Sequence, residues 1–416
     1  MKGLTGRFLI GALILWSAAS ALAQDAIELR FLCFEDGNEC EVYADLLAQF
    51  SEINPDIKVA VDVTAEEEVL ARLQAAYDAD ESYDIARAKR GWMPGKYVDL
   101  QPLLGEALTA NFRPVYFEFL RVLPDDRGIY ALPDALGVVA PFVNVSLFEQ
   151  AGVPLPAEGA SWDEWLAALD EVVRATDASY VLAVDNKGHR LVGPAMSLGA
   201  AYFDEAGRLT LPDAAGLREF LQILHGLMDE GKTPADTLLG TGKSQDYFVR
   251  GETVMYICGS WKVEEVAAQV GDDFEWAIVA NPSGPGGGTG LAQLTGLMAF
   301  AETDYPKAVG KVFEYLLEPE VSAEFAARTL TIPAREDLAA SGIDYQADNS
   351  DVAAALNAFA REVPKLQDQA IALDLHPLAS VYYEASNALL RAYFAGELTL
   401  DEALAGLKAR LGGAGE

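Results

Sequence analysis

Residues 26–64 read AIELRFLCFEDGNECEVYADLLAQFSEINPDIKVAVDVT and contain signals for a strand, a helix and a second strand, in that order. Ile27–Phe34 alternates apolar side chains as a half-buried strand does. Residues 41–53 then carry apolar side chains at helical spacing, and Asn54-Pro55 ends the helix. Residues 58–63 alternate again. A strand, a helix and a strand in succession predict an α/β protein with mainly parallel sheets.

Capping and chain-breaking signals place further elements along the chain. Ser161 and Glu164 form a capping box that begins a helix, and Thr399 and Glu402 begin the last helix in the same way. Residues 281–290, NPSGPGGGTG, are the densest group of breakers, so we expect the chain to cross between two domains there. Two domains are the default, because a single core stops growing at about 250–300 residues.

The first 23 residues have the pattern of a secretory signal peptide. Lys2 and Arg7 precede the apolar run FLIGALILWSAASALA, which ends in small residues. A membrane anchor is the alternative, but a span needs about 20 apolar residues and this run is shorter. We therefore expect cleavage after Ala23 and export of the mature chain to the periplasm, with no membrane insertion.

The charge of the mature chain excludes one class of function. Lys2 and Arg7 are two of the 30 basic residues, so cleavage leaves 28 against 64 acidic residues and moves the net charge from −34 to −36. Such a chain repels phosphate backbones, so we expect no nucleic-acid partner. Solvated acidic surfaces that confer solubility account for the excess.

Three cysteines fit an oxidising compartment. Cys33 and Cys40 flank FEDGNE and are close enough for a bridge; two free thiols are the alternative, and export favours the bridge. Cys258 has no evident partner and is expected to be buried. Neither paired cysteines nor paired histidines have metal-ligand spacing, so we expect no metal and no cofactor.

Motifs for catalysis are incomplete. Gly242-Lys243-Ser244 resembles the end of a phosphate-binding loop, but Thr237 stands where that loop requires glycine. A G-x-S-x-G nucleophile elbow does not occur in the sequence, and the three histidines are far apart. Carboxylate pairs are too common in this chain to single one out for glycoside hydrolysis. We therefore expect a protein that is not an enzyme.

The order of several ordinary segments resembles a known family. In sequence they are AIELRFL, INPDIKVAVD, SYDIARAKRGWMPGKYVDLQPLL, GIYALPDALGVVAPFVNVSLFEQAGVPLP, SWDEWLAALDEV, GETVMYICGSW, FEWAIVANPSGPGGGTGLAQLTGLMAF, PKAVGKVFEYLLEPEVSAEFAA and RTLTIPAREDL. This ordered set resembles the extracellular solute-binding proteins of bacterial ABC importers, the carbohydrate family that includes maltose-binding protein. One departure is Phe142-Val143-Asn144, where the family often has a Tyr-Asn pair.

The resemblance implies a type II two-lobed periplasmic binding protein fold with a ligand cleft between the lobes. Residues 24–135 with 287–333 would form the first lobe, and residues 136–286 with 334–416 the second. The chain would cross near 135–138, 281–288 and 330–333. The resemblance further implies a monomer that binds a carbohydrate by hinge closure and delivers it to ABC permease subunits.

Trp261 is the leading candidate for a sugar contact. It follows an apparent strand, and sites in doubly wound sheets form outside the carboxyl ends of strands. In the family the tryptophan of this corner stacks on the ligand; a core plug is the alternative. The resemblance also points to polar or aromatic ligand contacts at eleven other positions, each with a solvated-loop, turn-capping or core alternative: Glu35, Asp36, Asn38, Arg90, Trp92, Asp134, His189, Arg190, Gln293, Arg335 and Tyr383.

Five alternatives stay open. In the first alternative the ligand is a polyol or another non-sugar solute. In the second it is an anionic sugar, for which Arg90, Lys89 and Arg190 would matter more. A ferric-iron carrier would use clustered tyrosines, and Tyr382-Tyr383 is the one adjacent pair. An exported glycoside hydrolase or lyase would share the same carboxylates and aromatics. A binding protein that also signals through a chemoreceptor has the same fold.

Overall fold

The computed structural model describes residues 26–34, 37–89, 93, 95–121 and 126–414. Within them the chain alternates strands and helices. The strands are β1 Ile27–Phe34, β2 Ile57–Thr64, β3 Ile85–Ala88, β4 Ala131–Asn144, β5 Tyr180–Val184, β6 Ala201–Phe203, β7 Leu209–Asp213, β8 Thr253–Gly259, β9 Trp276–Ile278, β10 Ala292–Ala299 and β11 Ile332–Pro333. None of the described helices has both the length and the apolar character needed to span a bilayer.

Helices cover the strands and make up the rest of the regular structure. The α-helices are α1 Glu39–Ile53, α2 Val69–Asp78, α3 Gln101–Thr109, α4 Val145–Ala151, α5 Trp162–Ala175, α6 Gly188–Ser197, α7 Ala215–Asp229, α8 Ala235–Leu238, α9 Ser244–Val249, α10 Val263–Val270, α11 Pro306–Leu316, α12 Pro319–Thr329, α13 Glu336–Ser341, α14 Ser350–Ala360, α15 Asp368–Leu375, α16 Ala379–Phe394 and α17 Leu400–Ala414. Short 3₁₀ helices lie at Glu66–Glu68, Pro114–Glu118, Ser260–Lys262 and Val363–Lys365.

The strands form one continuous path in the order β2-β1-β3-β10-β4-β8-β5, and β9 and β11 also pair with β4. The outer pairs, β1 with β2, β1 with β3 and β5 with β8, are parallel. The antiparallel pairs of this path involve β4 or β10, where the chain passes from one lobe to the other. The predicted α/β class and two-lobed architecture are confirmed.

The long strand β4 belongs to both lobes. Its residues up to Val138 pair with β10, and its residues from Val139 pair with β8. Its two faces also join different clusters of buried residues: Val138 and Phe142 lie in the cluster that includes the first lobe's core and continues into the second lobe, whereas Val139 lies in the other cluster. The strand therefore connects the lobes through paired backbone and not through a loose linker.

The segments predicted to cross between the lobes lie beside β4. Asn281 donates from Nδ2 to the carbonyl oxygen of Val139 and to the buried carboxylate of Glu362. The strand β11 pairs with β4 at Leu136 and Ala135. The positions in the sequence where one lobe ends and the other begins stay a prediction. The helix α15 packs against both β10 and α6.

Local sequence signals match local structure closely. Ser161 and Glu164 make both hydrogen bonds of the predicted capping box, and Thr399 and Glu402 do the same at α17. The first helix begins at Glu39, two residues before the predicted start. The buried Glu39 carboxylate accepts the backbone N–H of Gly37 at 2.8 Å.

Candidate functional site

The corner at residues 259–261 ends β8 and places a large aromatic side chain beside the crossing strand. Any Cβ on Gly259 would overlap the indole of Trp261, so glycine is required for the ring to fold back over the corner. Ser260 ties the corner to β4, because its Oγ accepts the backbone N–H of Val138 at 3.2 Å. Trp261 is nevertheless 41% exposed. One part of the indole packs on backbone and the rest is accessible.

Gly137 leaves room for this indole on β4. A Cβ at residue 137 would lie 3.0 Å from Cε3 of Trp261 and 3.8 Å from Cβ of Gln293. Gln293 is the register partner of Gly137 on β10. The two neighbouring strands therefore present a glycine and a glutamine beside the indole.

Two further rings extend the site from the second lobe. The imidazole centroid of His189 lies 6.0 Å from the indole of Trp261 and 5.9 Å from the phenol of Tyr383, which it meets edge-on. Gly188 permits this approach, because a Cβ there would come within 3.1 Å of the backbone of Tyr383. Asn387 fixes the start of α6 by accepting the N–H of Gly188 at 2.8 Å. Helices α6 and α16 thus hold the imidazole beside the indole.

Asp374 on α15 connects the second-lobe residue Tyr383 with Gln293 on β10. Tyr383 donates its phenol O–H to Oδ1 of Asp374 at 2.9 Å, and Nε2 of Gln293 lies 3.5 Å from the same oxygen. Burial, and then the Asp374 carboxylate, raise the pKa of Tyr383 well above its ordinary value, so the phenol stays a donor. We call the set Gly137, His189, Trp261, Gln293, Asp374 and Tyr383 the crossing site.

The crossing site combines one accessible aromatic surface with groups that form directional hydrogen bonds. A carboxylate accepts, a primary amide both donates and accepts, and an imidazole does either according to its tautomer. A molecule with an apolar face and several hydroxyls matches the chemistry of these groups. A flat ring at the centre and polar groups at the rim are typical of small-molecule sites.

Four of the predicted contacts, Trp261, His189, Gln293 and Tyr383, come together in this site. Asp374 was not predicted. It lies in an apolar helical segment, and its position depends on how α15 docks between the two lobes. A carboxylate in a chain with 64 acidic residues gives no sequence signal by itself.

Asp134 lies farther along the face of the first lobe. Thr295 follows Gln293 by two residues on β10, so both side chains are on one face, and Thr295 donates to Oδ1 of Asp134. Tyr43 donates to the other oxygen at 2.7 Å, and Nε of Arg87 lies 3.4 Å from it. Asp134 is therefore held by protein donors, and its contact with a ligand stays a prediction.

The buried guanidinium of Arg87 joins several segments of the first lobe. It donates to the carbonyl oxygen of Phe34 at 3.0 Å and pairs with Glu39 at 3.2 Å, in addition to Asp134. The predicted disulfide between Cys33 and Cys40 is confirmed and closes the same segment. Asn38 in this loop donates to the carbonyl oxygen of Arg328 at 3.1 Å.

Two predicted cationic contacts are not in the crossing site. Arg190 is buried and ion-paired with Asp185. Arg335 pairs with Asp337 at 2.6 Å, and it lines with Asp134 a cavity of about 30 Å³ in the first lobe. That cavity has room for about one water molecule and not for a sugar ring. Binding roles for both arginines stay predictions.

Four other predicted contacts, Glu35, Asp36, Arg90 and Trp92, lie outside the described residues. The tyrosine pair proposed for iron is engaged elsewhere: Tyr382 lies 3.0 Å from the phenol oxygen of Tyr202, and Tyr383 bonds Asp374. In the described ranges, no group of three or more His, Cys, Asp or Glu side chains is placed to hold a metal ion. Cys258 is a buried free thiol, as predicted.

A larger cavity of about 490 Å³ lies on the other side of α15. Gln369 and Ala372 of this helix line it together with Phe117 and Phe203. Residues 369 and 372 share one helical face, and Asp374 projects from nearly the opposite face. The helix therefore separates this cavity from the crossing site, which contains the exposed indole of Trp261.

Comparison with known proteins identifies the family. The sequence profile of the family described as Bacterial extracellular solute-binding protein matches residues 40–323. No curated protein matches the chain in sequence.

Solved structures resemble this fold over almost its whole length. The cyclic alpha-maltosyl-1,6-maltose binding protein of Arthrobacter globiformis is 19% identical with a TM-score of 0.76, covering 93% of this chain and 98% of its own. The sugar-binding protein MalE of Xanthomonas citri is 21% identical with a TM-score of 0.75, covering 92% and 96%. The ABC substrate-binding protein Lmo0181 of Listeria monocytogenes, solved with cycloalternan, is 16% identical with a TM-score of 0.67, covering 94% and 99%.

Proposed function

The chain belongs to the bacterial extracellular solute-binding protein family, and from that premise we propose that it captures a carbohydrate in the crossing site and delivers it to the permease of an ABC importer. The observation that carries this proposal is the half-exposed indole of Trp261. The imidazole of His189 lies beside it, Gln293 shares its contact with Gly137, and the amide of Gln293 approaches the Asp374 carboxylate. Sugars present C–H faces that pack on aromatic rings and hydroxyls that bond to such groups.

The location of the crossing site supports capture by closure. Gly137 and Gln293 lie on the strands through which the chain crosses, whereas His189, Trp261 and Tyr383 lie on elements of the second lobe. A ligand held here that also touches the first lobe binds the closed arrangement better than the open one. Thr295 and Asp134 extend the polar face in the direction from which the first lobe would close.

Partners and location follow from the same premise. An extracellular solute-binding protein works outside the cytoplasm, and we place the mature chain in the periplasm after cleavage at Ala23. Closure presents a surface spanning both lobes to the permease subunits. The protein acts as a monomer, without catalysis and without a cofactor.

The test is a binding screen that also detects turnover. The purified mature protein is incubated with neutral mono- to tetrasaccharides of glucose, galactose and mannose, and its melting temperature is recorded with each. A true ligand at 100 times its Kd stabilises the folded state by about 2.7 kcal/mol. We expect a raised melting temperature for at least one sugar, and chromatography afterwards is expected to recover that sugar intact.

Two results would overturn the proposal. Release of shorter products would identify an enzyme. A complete panel without any stabilisation, while polyols or other solutes do stabilise the protein, would identify a binding protein for another class of ligand.

A further inference from the structure

The charges around the crossing site bear on which class of sugar it can bind. Asp374 places a carboxylate within the site, 2.9 Å from the phenol oxygen of Tyr383. The other hydrogen-bonding groups of the set, the amide of Gln293 and the imidazole of His189, both donate and accept. They do not by themselves distinguish a hydroxyl from a carboxylate on the ligand.

Three cations among the described residues that would favour an acidic sugar pair with carboxylates of the protein. Arg190 pairs with Asp185, Lys89 pairs with Glu66 at 3.0 Å, and Arg335 pairs with Asp337. A bound anion would have to compete with these partners. The whole chain adds to the effect, because its sequence pI of about 4.3 gives it a negative field at neutral pH.

We propose that Asp374 is the residue that restricts the crossing site to neutral sugars and excludes their uronic acid counterparts. The inference rests on the proposed function. The Asp374 carboxylate accepts hydrogen bonds from sugar hydroxyls, and charge-assisted bonds of this kind are about twice as strong as neutral ones. A ligand carboxylate at the same position offers no donor and brings a second negative charge into a partly buried site.

Tyr383 and Gln293 position this carboxylate. Both approach Oδ1, so the group is oriented by two donors from different elements, one on α16 and one on β10. Asp374→Asn keeps the shape of the side chain and an oxygen that accepts from Tyr383. This substitution therefore removes the charge while leaving the packing of α15 in place.

The experiment compares matched ligands by isothermal titration. The neutral sugar identified in the binding screen is titrated alongside its uronate forms, oxidised at C6 of each ring in turn. With the wild type we expect at least one uronate to bind about tenfold more weakly or worse. With Asp374→Asn we expect weaker binding of the neutral sugar, and a neutral-to-acid affinity ratio reduced to about threefold or less.

A matched control separates local contact from overall charge. Glu384 is exposed on α16, next to Tyr383 in sequence, so Glu384→Gln removes one charge without touching the crossing site. We expect wild-type discrimination in this variant. We also expect discrimination by the wild type to persist at about 0.5 M salt, which screens exposed charges beyond a few ångströms.

The outcomes are separable. Uronates that bind the wild type as well as the neutral sugar would overturn the inference and leave carbohydrate binding intact, as would discrimination that Asp374→Asn leaves unchanged or that salt abolishes. Loss of all measurable sugar binding in Asp374→Asn, with an unchanged circular dichroism spectrum, supports the contact. A screen that yields no neutral sugar shows that the proposed function has failed, before any variant is made.

Discussion

The indole of Trp261 lies against Gly137, with its Cε3 atom 3.0 Å from the position that a Cβ on residue 137 would occupy. The aromatic surface of the second lobe is therefore seated on the backbone of the strand that joins the lobes. Any side chain at residue 137 changes the position of that surface. This contact connects the hinge directly to the site.

Gly137→Val tests the contact between the indole of Trp261 and the backbone of β4. The added side chain forces the ring outward, so we expect sugar affinity to fall about tenfold or more while the protein stays folded. Titration calorimetry measures the affinity, and tryptophan fluorescence reports the displaced ring. The control is Gly226→Ala on α7, where a Cβ meets nothing within 4 Å. Wild-type affinity in Gly137→Val would show that sugar binding does not depend on the position of the indole against β4.

Trp261→Ala removes the aromatic surface itself. We expect a loss of affinity of about 100-fold, comparable to deletion of a binding hot spot. We expect the free energy of unfolding to change by only about 1 kcal/mol, because the side chain is 41% exposed. Tyr305→Ala is the matched control, since that ring is equally exposed and lies outside the site. A sugar titration with wild-type affinity would refute the stacking role.

Replacing Cys33 and Cys40 together by serine opens the loop that the disulfide closes. For a loop of this length, loss of the cross-link lowers the free energy of unfolding by about 2.5 kcal/mol. We also expect weaker sugar binding, because the disulfide helps to fix the segment that Arg87 and Glu39 hold beside β1. Without the cross-link this segment is less rigid. Urea denaturation measures the first effect and calorimetry the second. Reductant should reproduce both effects in the wild type and add nothing in the double variant; three titratable thiols in the unreduced, denatured wild type would rule the bridge out.

His376 makes stability depend on pH. Burial lowers its pKa below the ordinary value, and its Nδ1 accepts the N–H of Leu378 at 3.1 Å, which a proton there would prevent. The unfolded chain therefore binds this proton more readily than the folded one. Stability from this group is present above pH about 6.5 and is lost as the pH falls. Thermal melts should show the wild type losing more stability than His376→Gln between pH 7 and 5; parallel curves would contradict this.

Much of the fold was predictable because its signals are local. The capping boxes at Ser161 and Thr399 need only residues three positions apart, and the strand–helix–strand order at the start of the chain follows from side-chain periodicity. The position of Trp261 was predictable for a similar reason, since a strand ends just before it; its contact with a ligand stays a prediction.

The rest of the site depends on which groups meet in space. Asp374 faces Tyr383 and Gln293 only because α15 docks between the lobes. Conversely, Arg190 and Arg335 find carboxylates within a few residues of themselves. Sequence patterns indicate that a side chain is polar and near a strand end, but they do not show which partner it takes.

The strand β4 is a single run of 14 residues whose two halves pair with different strands, first β10 and then β8. Any swing of one lobe must be absorbed as torsion distributed along backbone that stays hydrogen-bonded to its neighbours. A joint of this kind resists a change in the alignment of the lobes, because a shift of register would break its hydrogen bonds and turn its side chains to the wrong face. It also means that neither half can be produced by trimming the chain, since a cut in this strand would divide the residues paired with β10 from those paired with β8.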